Sequence, residues 1–128
     1  MTTNLRSDQR GAAAVELALV LPVLLLILAG IIEFGRGYHE KISMTHAARE
    51  GARALAVGKT ASVAEATAVG AATGVGLTTA EVSTVPASGT CTPGSTVTVE
   101  INHRLDFFIQ LIGDGVDLTS KASMRCGG

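Results

Sequence analysis

From Gly11 to Ile32 the chain reads G-A-A-A-V-E-L-A-L-V-L-P-V-L-L-L-I-L-A-G-I-I, 22 residues interrupted by one charge, Glu16. At about 1.5 Å per helical residue, such a run crosses a hydrocarbon core of about 30 Å. Past Ile32 the pattern turns from continuous to periodic. Apolar or small residues recur at Ile31, Phe34, Tyr38, Ile42, Thr45, Ala48, Ala52 and Leu55, and gaps of three and four draw one stripe along a helix. Glu33, Arg36, Glu40, Ser43, Glu50 and Arg53 fall on the other side. Gly58 stands where a left-handed residue ends a helix, with Lys59 at the negative end of the dipole. The pattern predicts one helix of about 45 residues, starting between Gln9 and Ala12, with its first half in a membrane. Pro22 removes an internal hydrogen bond and should bend the span, and Gly30, Gly35 and Gly37 soften it near the outer surface.

Beyond the long helix the elements shorten. Ser62–Ala72 is Ala-rich, and Ser62 with Glu65 has the form of a capping box, which predicts a second helix. Residues 70–76 read as a turn and Thr79–Val85 as a weak strand. Two alternating stretches are stronger. In Thr96–Leu105, Val97, Val99, Ile101 and Leu105 share a face; in Val116–Cys126, Val116, Leu118, Ala122, Met124 and Cys126 do. Paired antiparallel, they bring Leu105 near Val116 and Ser95 near Cys126. Cys91 precedes Ser95 by four residues across Pro93-Gly94, so a Cys91–Cys126 disulfide is within reach; two buried thiols are the alternative. The connection Phe107–Ile112 concentrates large apolar side chains, either as core or as an exposed patch. The fold class is α+β: a long N-terminal helix, a short helix and a small antiparallel sheet.

Charge and composition narrow the partners. The formal net charge is −1 and the aromatic content 3%, which gives no electrostatic or stacking case for nucleic acid. Nor does the chain carry recognisable chemistry. G-A-A-T-G-V-G at 70–76 lacks the spacing and the Lys-Ser of a nucleotide loop, and no Cys pair stands at metal spacing. His39 and His46 lie seven apart with no carboxylate or Cys at a matching offset, and His103 joins neither. No catalytic, cofactor or metal residues are expected, nor a small-molecule substrate.

Glu16 needs a reason, because a carboxylate within such a span costs about 2.5–3.5 kcal/mol on insertion scales. It lies five residues after Gly11, and Gly11-Ala12-Ala13-Ala14-Val15-Glu16 has the form of a prepilin processing site, with cleavage between Gly11 and Ala12. G-x-x-x-x-E at the mouth of an N-terminal apolar helix resembles type IV prepilins. The longer stretch R-G-A-A-A-V-E-L-A-L-V-L-P-V-L-L-L-I-L-A-G-I-I-E-F-G-R, followed by A-A-R-E-G-A-R at 47–53, resembles the TadE-like family, the minor pseudopilins of the tight-adherence (Flp) pilus machinery. The resemblance covers about residues 10–57. Leu17 stands where many Flp-type pilins carry Tyr.

The resemblance implies a structural, non-enzymatic role. Its expected partners are a prepilin peptidase, other pilins or pseudopilins, the pilus assembly platform and the membrane. It also implies that Glu16 pairs with the new amine at Ala12 of a neighbouring subunit and so sets axial register; the alternative is a Glu16 that reaches the headgroup zone. The expected layout is a leader at 1–11, a transmembrane helix at 12–33, its continuation at 34–58 and a head at 59–128. The N-terminus would lie on the cytoplasmic side of the bacterial inner membrane and the head on the periplasmic or extracellular side, where a disulfide persists. Two other readings fit the same pattern: an uncleaved, membrane-anchored binding module, and a secreted enzyme whose signal peptide ends near Ala29-Gly30.

Overall fold

The structure is a computed structural model that describes residues 6–109 and 113–127, with side chains from Gly11 onward. Residues 1–5 of the expected leader and 110–112 of the apolar connection lie outside the described residues. The chain divides into two units, 1–35 and 36–128.

Helix α1 (Arg6–Ala56) starts earlier than the pattern predicts and contains Pro22. In the first unit its large side chains are exposed, from Leu17 at 60% to Ile32 at 56%. Among the described residues α1 is the one helix long and apolar enough to cross a membrane, with mean hydropathy 2.8 over a window none of which is buried. A hydrocarbon surroundings suits these side chains, since apolar exposure on this scale is unfavourable in water. The long apolar helix fits a membrane anchor.

In the second unit α1 is joined by α2 (Ala61–Ala71), a 3-10 turn (Thr79–Glu81), and strands β1 (Val82–Val85), β2 (Thr96–Asp106) and β3 (Gly115–Arg125). The strands form an antiparallel sheet in the order β1-β2-β3. Leu105 pairs with Val116, as the alternation predicts, and Val99 pairs with Ala122. Val97, Val99, Ile101 and Leu105 are buried on one sheet face; Met44, Ala48, Ala52 and Leu55 of α1 and Ala64 and Ala68 of α2 complete the core. The segment expected to be a strand from Thr79 begins instead as the 3-10 turn, and extended pairing starts at Val82.

The stripe along α1 is covered over only part of its length. Ala48, Ala52 and Leu55 are buried, but Phe34, Tyr38 and Ile42 face outward at 77%, 63% and 53% exposure, whereas Glu33, Glu40 and Ser43 are buried. The reason is close approach. A Cβ added to Gly51 would lie 3.2 Å from the Ala64 carbonyl oxygen, 3.2 Å from Ala68 Cβ and 3.3 Å from Val99 Cγ1. The head therefore meets α1 along its small residues, Ala47, Ala48, Gly51 and Ala52, where bulk would hold the layers apart.

The helix ends follow their caps. Gly58, at φ 84°, donates to the Leu55 carbonyl and Lys59 to the Ala54 carbonyl, at 2.9 and 3.0 Å. This paired pattern closes the orphan carbonyls of α1. At α2 the N-cap is Thr60, not Ser62, and its side chain makes no capping bond. A capping box forms instead at the 3-10 turn, where the Thr78 amide and hydroxyl each donate to Glu81 Oε2 at 2.7 Å.

Candidate functional site

Three groups of residues bear on function, and the first lies in the first unit. Gly11 and Ala12 sit within α1, both exposed, with open space around the position of a Gly11 Cβ. Glu16 is also exposed, five residues on; at about 1.5 Å per residue it stands about 7 Å further along the axis. Among the described residues, therefore, nothing lies within 4 Å of a Cβ at Gly11, and the Glu16 side chain is exposed. The same segment is accessible to another protein.

The second group is the disulfide. Cys91 and Cys126 are bonded, with Cα atoms 5.5 Å apart. The β2–β3 register sets this up: Cys126 N donates to Ser95 O at 2.9 Å and Gly94 N to Cys126 O at 3.1 Å. Cys91 also lies against the end of α1, its Sγ 3.7 Å from the Ala56 carbonyl oxygen. The bond thus ties the loop after β1 to the last strand beside the helix terminus.

The third group was not legible as a set. His103 lies on the inward face of β2, and its Nδ1 is 2.6 Å from Glu81 Oε1 at the 3-10 turn. Its Nε2 is 4.0 Å from Glu40 Oε2 on α1. Partial burial raises the Glu81 carboxyl, but the Thr78 hydroxyl and amide and then His103 outweigh it, and the group rests below its ordinary 4.5. Because a carboxylate only accepts, Nδ1 carries the proton and Nε2 presents a lone pair to Glu40 whenever the ring is neutral. Glu40 Oε2 is buried without a hydrogen-bond partner among the described residues. The signal that could have found the set is position: His103 shares the odd-numbered face of β2 with Val97, Val99, Ile101 and Leu105, and a polar side chain there needs a partner.

Among the described residues no group of three or more His, Cys, Asp or Glu could hold a metal ion. His39 and His46 are exposed. Phe107 is half-buried and Phe108 is exposed at 76%, with the Arg36 guanidinium 4.2 Å from the Phe108 ring centroid. Arg36 also donates to the Asp106 carbonyl oxygen, so it holds the end of β2 to α1.

No curated protein and no solved structure matches this chain. A family profile does, that of the TadE-like proteins, and it aligns with residues 11–53, from the glycine of the candidate processing site to the last turn of α1. Over that segment, which carries the apolar run, Glu16 and the helix face that meets the head, the chain is similar to the TadE-like proteins.

Proposed function

We propose that this protein is a membrane-anchored pseudopilin of the tight-adherence (Flp) pilus system, a structural subunit with no chemistry of its own. The carrying observation is the TadE-like match over residues 11–53, which begins at Gly11 and includes Glu16 within an exposed apolar helix. In this reading a prepilin peptidase cuts between Gly11 and Ala12 and leaves a new amine at the head of the span. A buried charge is costly unless paired, and Glu16 of one subunit is placed to meet the amine of the next. That pair fixes the axial offset between neighbours, while the apolar surface of α1 supplies the packing. The head stands outside the inner membrane, held by its disulfide, and partners with other pilins and the assembly platform.

Mass spectrometry of the N-terminus from the membrane fraction tests the reading. A mature chain starting at Ala12 is expected. An intact N-terminus on a functional protein would favour the uncleaved binding module, and a soluble chain starting near residue 30 the secreted enzyme.

A further inference from the structure

The side of α1 turned away from the head carries a stripe of its own within the second unit. Tyr38 and Ile42 are exposed at 63% and 53%, and Arg49 and Arg53 are exposed further along. At about 100° per residue these four positions fall within a wedge of about 60°. The stripe is apolar at its start and cationic at its end. A groove of about 270 Å³, lined by Lys41, Ile42, Thr45, His46 and Arg49, runs along it. A second, of about 240 Å³, continues past Arg53 and Lys59, with Glu50 as its one carboxylate. Lys41 is engaged with the Thr119 carbonyl oxygen. Arg49 and Arg53 make no ion pair among the described residues.

We propose that this stripe docks a partner helix rising from the same membrane. The partner is apolar opposite Tyr38 and Ile42 and acidic opposite Arg49 and Arg53, and it is not a second copy in register. The inference rests on the pseudopilin reading for the parallel direction of the two helices. Charge selects the occupant. Two copies side by side would set Arg49 and Arg53 against the same residues, and α1 offers no acid in reply. Glu33 and Glu40 are buried, Glu50 is half-buried, and Glu16 is thirty-three residues before Arg49. Lipid does not reach the cationic end. The polar layer on each side of a bilayer is only about 5–7 Å deep, whereas the seventeen residues from Arg36 to Arg53, all within the second unit, rise about 25 Å as helix. The apolar start, Tyr38 and Ile42, lies nearest in sequence to the apolar run, which suits a partner helix that is apolar at the same level.

The chain itself supplies the probe, since Arg49→Glu with Arg53→Glu converts it into a helix of the partner's chemistry. Full-length wild type and this double variant, carrying fluorophores on C-terminal tags, are co-reconstituted in phosphatidylcholine vesicles and followed by energy transfer. Mixed pairs are expected to form about tenfold more tightly than pairs of either chain alone, the scale of two to three surface ion pairs. The preference should vanish at about 0.5 M salt, where the Debye length shrinks to a few ångströms. It should also weaken with Tyr38→Ala and Ile42→Ala. The neutral variant Arg49→Gln with Arg53→Gln should self-associate more than wild type and show no mixed preference. Wild-type self-association equal to mixed pairing, or a mixed preference kept by the Gln variant, overturns the proposal. So does Arg49- and Arg53-dependent binding to phosphatidylglycerol vesicles without mixed pairs, which would assign the stripe to lipid. The assay needs neither peptidase nor pilus, so a missing cut at Gly11 and a failure of pairing are read separately.

Discussion

The Nδ1 atom of His103 lies 2.6 Å from Glu81 Oε1, so one contact joins the middle of the sheet to the turn that starts it. The opposite ring nitrogen faces Glu40 of α1 at 4.0 Å. One imidazole therefore stands where helix, turn and strand meet, and Thr78 holds Glu81 in place from behind.

Glu81, held by the Thr78 hydroxyl and amide and then by His103, gives the head a response to acid. Glu81 rests below its ordinary 4.5 in the folded chain. A depressed carboxylate contributes stability that is complete above the unfolded value and is lost as pH falls through the folded one. Glu81→Gln removes that contribution. Thermal melts of the full chain in detergent should show the variant less stable than wild type near pH 6, with the gap closing towards about pH 3. A gap independent of pH would mean that the Glu81 carboxylate does not titrate as described.

Gly51 tests the close packing of α1. Alanine in a helix interior gains up to about 1 kcal/mol over glycine. At Gly51, however, the added Cβ meets Ala64 O and Ala68 Cβ at 3.2 Å, one of them backbone. Gly51→Val should cost about 1–3 kcal/mol by overpacking. Gly70 in α2 has open space at its Cβ, so Gly70→Ala should stabilise by about 0.5–1 kcal/mol. Denaturant titrations of both variants check the contrast. Equal effects would place the α1–α2 contact elsewhere.

The same glycine shows where the sequence was readable and where it was not. Period-two patterns specified the β2–β3 hairpin down to the Leu105–Val116 pair, because only one face of each strand is buried. That register also put Cys91 within reach of Cys126. Along α1, hydrophobicity alone set Tyr38 and Ile42 on one stripe with Ala48 and Leu55, whereas the head packs on Ala47, Ala48 and Gly51. A periodic stripe states which residues avoid water, not which neighbour covers them. In a helix that leaves a membrane, large apolar side chains have a second destination. The His103–Glu81–Glu40 set stayed hidden for a different reason: its members come from three elements, and no spacing along the chain links them.

The disulfide gives a third prediction. It closes a loop of sequence separation 35, worth about 3–4 kcal/mol in the chain-entropy model. Cys91→Ser with Cys126→Ser should lower the unfolding free energy of the head by that amount, read from denaturant titrations. In the wild type, both cysteines should resist alkylation until reductant is added. Free labelling of both thiols in folded, unreduced protein would remove the bond from the native state.

Glu16 separates a subunit that assembles from one that is only anchored. Glu16→Ala removes the single charge from the apolar run, so insertion should become easier, by up to the about 2.5–3.5 kcal/mol that a mid-span carboxylate costs. Cleavage should persist, since Gly11 and the leader arginines Arg6 and Arg10 remain. Assembly should fail, because the new amine at Ala12 of a neighbour is left as a buried, unpaired charge costing several kcal/mol. Glu16→Gln keeps a hydrogen bond without the charge and should fall between the two. Piliation or secretion, scored in strains with equal membrane levels of each variant, measures the outcome. If Glu16→Ala is inserted, processed and fully functional, Glu16 serves only at the headgroup layer, and register must come from the packing of α1 alone.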